Sequence, residues 1–202
     1  MNVTITAESD NTVEFELEDA SVELANALRR TMIGGIPTLA IEDVAVTRNN
    51  SGLFDEILAH RLGMVPWHFD PEQHELPSEC DCEDGCPKCQ VSMALQAEGP
   101  ATVTAADISV PAEDVEPANP ETVVVELQED GELDLEMTAQ LGTGQAHAKW
   151  QAANASYSYE DDTFHVEVES VSGLTPRTIV QHAVQELEAG LDAFEDAVDG
   201  SL

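Results

Sequence analysis

An apolar stripe closes the sequence and constrains everything before it. Ile179, Val180, Ala183, Val184, Leu187, Leu191, Phe194 and Val198 recur at helical spacing behind Thr175, a good N-cap, and Pro176, suited to a first helical position. From Ile179 to Val198 the stripe runs about 30 Å at 1.5 Å per residue, more than a small four-stranded sheet needs as a cover. The plain reading is that all of it packs on the chain's own sheet. The first half suits that role, whereas Leu187 to Val198 has heptad-like spacing suited to a helix from another polypeptide.

Strict alternation supplies the sheet. Phe164, Val166 and Val168 oppose His165, Glu167 and Glu169, and Val13, Phe15 and Leu17 oppose Glu14, Glu16 and Glu18. Val3–Thr6 forms a hairpin with Thr12–Leu17 around Glu8-Ser9-Asp10-Asn11. A first helix starts at the cap Ser21, carries Leu24, Leu28 and Met32 on one face, and stops at Gly34-Gly35 before Pro37. Leu39–Val46 returns to strand. A short helix follows over Leu53–Leu62, with Ser51 as its cap, Ile57 and Leu58 facing inward, and Gly63 ending it. Strands at Val91–Gln96, Thr122–Leu127 and Leu133–Thr138, separated by Pro111, Pro117 and Pro120, make the middle mostly β. The two ends share a texture that suits one domain with the middle inserted into it.

Charge removes several functions from consideration. There are 41 acidic residues against 7 Lys and Arg, a formal net charge of -34. Binding to phosphate backbones is dominated by cations, so direct nucleic-acid contact is not expected. The acids are spread through strands, turns and helices, which suits a surface adapted to a very salty cytoplasm. A DNA mimic is the rival reading, although a mimic concentrates its charge on one face. Against this background Arg29, Arg30, Arg48, Arg61, Lys88, Lys149 and Arg177 each invite a specific partner. No apolar run approaches the roughly eighteen residues that span a bilayer, and Met1-Asn2-Val3-Thr4 lacks the regions of a signal peptide, so the expected location is the cytoplasm.

All four cysteines lie in Cys80-x-Cys82-x3-Cys86-x2-Cys89, within a polar, Pro-rich stretch from 68 to 90. Four thiolates this close can surround a tetrahedral ion, with Gly85 and Pro87 turning the second pair back towards the first. Zinc is the expected ion and its role structural, because a closed four-thiolate site leaves no position for water. An iron–sulfur cluster and unliganded or redox thiols are the other readings. Asp81, Glu83 and Asp84 are read as solvated neighbours, and Lys88 as offsetting part of the site's charge.

Other signals point to no chemistry. Gly142-Thr-Gly144 lacks the rest of a phosphate loop and is read as a turn. His60, His68, His74, His147, His165 and His182 show no ligand spacing and are read as packing or surface residues. No nucleophile sits in a recognisable setting, so no catalytic residue is expected.

Four segments together resemble the archaeal RNA polymerase D subunits, relatives of the third subunit of RNA polymerase II and of the bacterial α subunit's N-terminal domain. They are Leu24-Ala-Asn-Ala-Leu-Arg-Arg-Thr-Met32, Asp55-Glu-Ile-Leu-Ala-His-Arg-Leu-Gly-Met-Val-Pro66, the cysteine loop, and His147-Ala-Lys-Trp150 followed by Val168-Glu-Ser-Val-Ser-Gly173. The resemblance implies an α+β fold. Residues 1–46 and 147–202 would form a discontinuous dimerisation domain, a sheet with two helices, and 47–146 a mostly β insert domain carrying the cysteine loop. It further implies a non-catalytic scaffold within the nucleotidyltransferase complex. Leu24, Leu28, Met32, Leu187, Leu191, Phe194 and Val198 would pair with the smaller subunit L, and the dimer would then carry subunits N and P and the second-largest subunit. Arg29 and Arg30 would touch a large subunit, the alternative being an intrachain salt bridge. A free-standing acidic zinc-binding interaction module is the alternative function. Many members of the family carry a ferredoxin-like domain with iron–sulfur cysteines after a Tyr-rich strand. Here only Glu160-Asp-Asp-Thr163 separates Tyr159 from Phe164, so that domain and its cluster are not expected.

Overall fold

The structure is a computed structural model that describes residues 1–83 and 85–200. Its elements are β1 (Asn2–Glu8), β2 (Thr12–Glu18), α1 (Val22–Gly34), β3 (Thr38–Asn49), α2 (Asp55–Gly63), β4 (Trp67–His68), β5 (Val91–Glu98), β6 (Ala101–Thr104), β7 (Glu116–Pro117), β8 (Val123–Leu127), β9 (Glu132–Gly142), β10 (Ala153–Glu160), β11 (Thr163–Ser170) and α3 (Pro176–Asp199). The fold is α+β and divides into two compact units, one made of Met1–Pro37 with the chain from Thr143 onward, the other of Thr38–Gly142.

In the first unit the order β1-β2-β11-β10 forms an antiparallel sheet. The alternation places Val13, Phe15, Leu17, Phe164, Val166 and Val168 on one buried face, where α1 lies against β10 and α3 against β11 and β2. Each such side chain contributes about 1.5–3 kcal/mol when removed from water, so this face drives the unit's assembly. Both helix starts follow from side chains: Ser21 accepts from the Leu24 N–H, and Thr175 from the Thr178 N–H with Pro176 just behind it. The β10–β11 connection is a two-residue turn at Asp161 and Asp162, with φ of 49° and 63°, the left-handed pair that a tight hairpin requires.

In the second unit the order β3-β9-β5 forms an antiparallel sheet, with two-stranded ribbons β4-β7 and β6-β8. Leu39, Ile41, Val91, Met93, Leu95, Leu133, Leu135 and Met137 are buried in it, and α2 packs on β3 and β8 through the fully buried Leu58 and Leu62.

Several expectations are corrected. β3 pairs with β9 from Thr38↔Gly142 to Asn49↔Leu133, so residues 38–46 go with the middle unit. The divisions therefore fall after residues 37 and 142, not 46 and 146. The second helix starts at Asp55 behind Phe54, which offers no side-chain cap. Ser51 instead closes a local turn, its hydroxyl 2.6 Å from Asn49 Oδ1 and accepting from the Leu53 N–H at 3.2 Å. Leu58 and Leu62, one turn apart, define the inward face, which leaves Ile57 about 100° round the helix and half exposed. Met32, expected on a partner-facing surface, is 1% exposed, because the end of α1 turns into the unit's own core.

Candidate helix surface and metal centre

The terminal helix changes character along its length. Ile179 and Ala183 are fully buried against the sheet, while Val184 is 42% exposed, Leu191 69%, Phe194 69% and Val198 44%. Apolar residues at helical spacing thus continue past the sheet that the helix covers, and from Glu188 to Gly200 every position is exposed. A scattered surface Leu needs no explanation, but an aligned Leu-Phe-Val run on one helix does. Leu24 and Leu28 on α1 are half-buried. Leu187 is also half-buried and lines a groove of about 660 Å³ with Asn26, Arg29, Arg30, Gly34 and Gln145.

Most cations of this acidic chain have partners. Arg48 meets Glu132 at 2.6 Å, Arg177 meets Glu8 at 2.6 Å, and Lys88 meets Glu75 at 3.2 Å. Arg61 donates to the Val124 carbonyl at 3.0 Å, and the Lys149 ammonium sits 4.4 Å from the Trp150 ring centroid. Arg29 donates to Asn26 Oδ1 at 3.2 Å. Among the described residues neither Arg29 nor Arg30 pairs with a carboxylate, although a chain with 41 acids offers many.

The four cysteines come together. Cys80 and Cys86 sulfurs are 3.6 Å apart, Cys82 and Cys89 3.4 Å, Cys86 and Cys89 3.9 Å, and all four lie within 4.8 Å of one another. These are free thiols, too far apart for disulfides. A tetrahedral ion with bonds of about 2.3 Å holds its four sulfurs about 3.8 Å apart, so the cluster could hold a metal ion. The local backbone makes the cluster: Cys80 N–H donates to the Leu76 carbonyl, Cys89 and Gln90 N–H to the Cys86 carbonyl, and Gly85 between the pairs takes a φ of 88° that other residues resist. The Lys88 N–H, the Cys80 thiol and the Cys89 N–H pull the Cys86 thiol down to about 7. Hydrogen bonds to Cys89 and Cys80 push Cys82 up to about 12. Four sulfurs this close cannot all ionise by themselves, and a cation is what allows them to. The Lys88 ammonium is held charged chiefly by Glu75 and only secondarily by the Cys80 and Cys86 side chains. Asp81 and Glu83 are exposed, and Asp84 lies outside the described residues.

One pair escaped sequence reasoning. His74, discounted for lack of ligand spacing, is buried, with Nε2 2.8 Å from Asp114 Oδ2. Forty residues separate the partners, so no local pattern announces them. The Gly142-Thr143-Gly144 segment leads from β9 into a turn, where the Ala146 N–H donates to the Thr143 carbonyl at 2.9 Å.

Among the described residues no helix is long and apolar enough to cross a membrane. Residues 41–166 match the family described as RNA polymerase Rpb3/RpoA insert domain. The DNA-directed RNA polymerase subunit Rpo3 of Methanothermobacter thermautotrophicus is 42% identical over 163 residues, covering 79% of this chain and 62% of that one. The subunit of the same name from Methanosphaera stadtmanae is 38% identical over 192 residues, 90% of this chain and 71% of that one. That of Pyrococcus furiosus is 38% identical over 159 residues, 79% and 59%. The chain therefore spans less than two thirds of the length of the first and third of these relatives.

Proposed function

Since the chain belongs to the family of archaeal DNA-directed RNA polymerase subunits named Rpo3, we propose that it is a non-catalytic assembly subunit of that enzyme, acting in the cytoplasm by presenting a preformed surface to other polymerase chains. The observation that carries this reading is the exposed run of Val184, Leu191, Phe194 and Val198 on α3, apolar surface left over after the helix has covered its own sheet. A helix from the smaller subunit L would complete it, with Leu24, Leu28 and Leu187 at its border. Met32 has no part in this surface. Arg29 and Arg30, without carboxylate partners among the described residues, would meet a large subunit, and the dimer would then seat subunits N and P and the second-largest subunit. Direct DNA contact is not part of the reading, because the chain carries a net charge of -34.

The scaffold acts by lowering the entropic cost of bringing the catalytic chains together, since one partner surface is already formed when the next arrives. The unit of Met1–Pro37 with the chain from Thr143 onward would dimerise, and Thr38–Gly142 would serve as the insert. Zinc fits the four-cysteine site best: the donors are all cysteine sulfurs within 4.8 Å of one another, and four of them bound to one ion would leave no open coordination position. Cys80, Cys82, Cys86 and Cys89 would hold it, and its contribution is to fix the loop.

Size-exclusion chromatography in molar KCl, with and without co-expressed subunit L, tests the reading. The chain by itself should self-associate or precipitate and should shift to a stable heterodimer with L. A compact soluble monomer that ignores L would sink the scaffold.

A further inference from the structure

We propose that His74 is a positioning residue for the metal centre: its hydrogen bond to Asp114 pins the neck of the cysteine loop, so that the four sulfurs are gathered before an ion binds. This rests on the reading that Cys80, Cys82, Cys86 and Cys89 hold a metal.

The geometry forms a short chain of fixed points. The His74 side chain is 5% exposed, and its Nε2 lies 2.8 Å from Asp114 Oδ2. A carboxylate only accepts, so the imidazole donates from Nε2. The same carboxylate oxygen accepts from the Asp70 N–H at 3.4 Å, and the Phe69 ring stands edge-on to the imidazole with centroids 6.1 Å apart. Asp114 therefore holds both ends of residues 70–74. The next residue closes the loop: the Glu75 N–H donates to the Lys88 carbonyl at 2.9 Å, and the Lys88 ammonium returns to Glu75 at 3.2 Å. Cys80, Cys82 and Cys86 lie between the two sides of this neck, and Cys89 directly follows its Lys88 side.

A loop whose neck is pinned has less conformational freedom to lose when four thiolates converge on one ion. Part of the ordering cost of metal binding is then met by a buried hydrogen bond to a charged group, the stronger kind. Residues behind metal ligands typically change affinity by about 10–100-fold when replaced. His74 acts through the loop without touching a ligand, so the lower end of that range, about tenfold, is expected.

The test follows zinc release from the loaded full chain to a chromogenic chelator in molar KCl. His74→Ala should speed release about tenfold. His74→Gln, whose amide reaches the same carboxylate, should restore most of the wild-type rate. Asp114→Ala should match His74→Ala, and the double variant should be no faster than either, because the two act as one unit. Hydrogen exchange in β5 and β9 should stay unchanged, separating loop release from loss of fold. A wild-type chain that takes up no zinc overturns the metal reading and this inference together. Zinc taken up normally, with variants releasing it at the wild-type rate, overturns this inference alone. So does equal acceleration in His74→Gln and His74→Ala, which would assign the effect to ring packing on Phe69.

Discussion

Gly34 and Gly144 meet backbone to backbone: a Cβ built on Gly144 would stand 2.9 Å from the Gly34 Cα, 3.1 Å from the Ile33 carbonyl oxygen and 3.2 Å from the Gln151 Cα. All three neighbours are main-chain atoms, which cannot swing aside as a side chain tip can. The Gln145 N–H donates to the Gly34 carbonyl at 3.1 Å, fastening the approach. Gly144→Ala should therefore destabilise the chain by about 1–3 kcal/mol, the usual cost of forcing a methyl group into a packed site. Gly190 is the contrast, since it lies within α3 with nothing within 4 Å of an added Cβ. Gly190→Ala should raise stability by about 0.5–1 kcal/mol through helix propensity. Urea midpoints of the two variants check both signs.

The two halves of α3 should respond oppositely to substitution. Ile179 is 0% exposed against the sheet, so Ile179→Ala should cost the isolated chain about 2–4 kcal/mol. Leu191 and Phe194 are each 69% exposed, so Leu191→Asp with Phe194→Asp should leave the chain folded, with its stability within about 0.5 kcal/mol of wild type, while reducing its self-association. The double variant should nevertheless fail to co-purify with co-expressed subunit L. A heterodimer that survives would remove this helix face from the interface.

What was legible in the sequence was local. The alternation at 164–169 and the Thr175-Pro176 cap act within a few residues, and both stand in the structure as read. The four sulfurs lie close together as their spacing predicts, and the turn at Gly85 between the two pairs is local. What was not legible depended on partners far along the chain. β3 belongs with the middle unit because it pairs with β9, some 90 residues later, which alternation within β3 cannot reveal. The inward face of α2 is set by what it packs on, β3 and β8 against Leu58 and Leu62, and that leaves Ile57 outside. His74 and Asp114 meet only because two loops do.

Metal removal should act on the loop and spare the sheet. Cys86→Ser, or chelation of the wild-type chain, should release zinc and make residues 78–92 the first site of proteolytic cleavage. Three remaining sulfurs cannot close a tetrahedral site, and the backbone bonds of the cluster are too few to order it unaided. The β3-β9-β5 sheet has its own buried core in Leu95, Leu133 and Leu135, so its amide protection should persist. Unchanged protease resistance at 78–92 after zinc loss would show that the metal does not order the loop.

Salt should stabilise this protein although it weakens its ion pairs. Glu14 lies directly opposite Glu167 across β2 and β11, a like-charge pair of the kind that destabilises a sheet. With 41 acids against 7 Lys and Arg, repulsions of this sign outnumber attractions. The Debye length falls from about 10 Å at 0.1 M to about 3 Å at 1 M, so KCl should suppress the repulsion and raise the melting temperature. Glu167→Gln isolates the effect: it should stabilise at low salt, and the gain should vanish above 1 M. Arg177→Gln should do the reverse, because it removes the exposed pair with Glu8. The Arg177 guanidinium holds the Glu8 carboxyl below its ordinary value near 4.5. A carboxylate with a depressed folded pKa contributes stability above that ordinary value and loses it as pH falls through the folded one. The difference between wild type and Arg177→Gln should accordingly be present at neutral pH and low salt, and absent in strong acid or molar KCl. A melting temperature that falls with KCl, or a Glu167→Gln gain that persists in it, would show that repulsion between surface carboxylates does not limit stability.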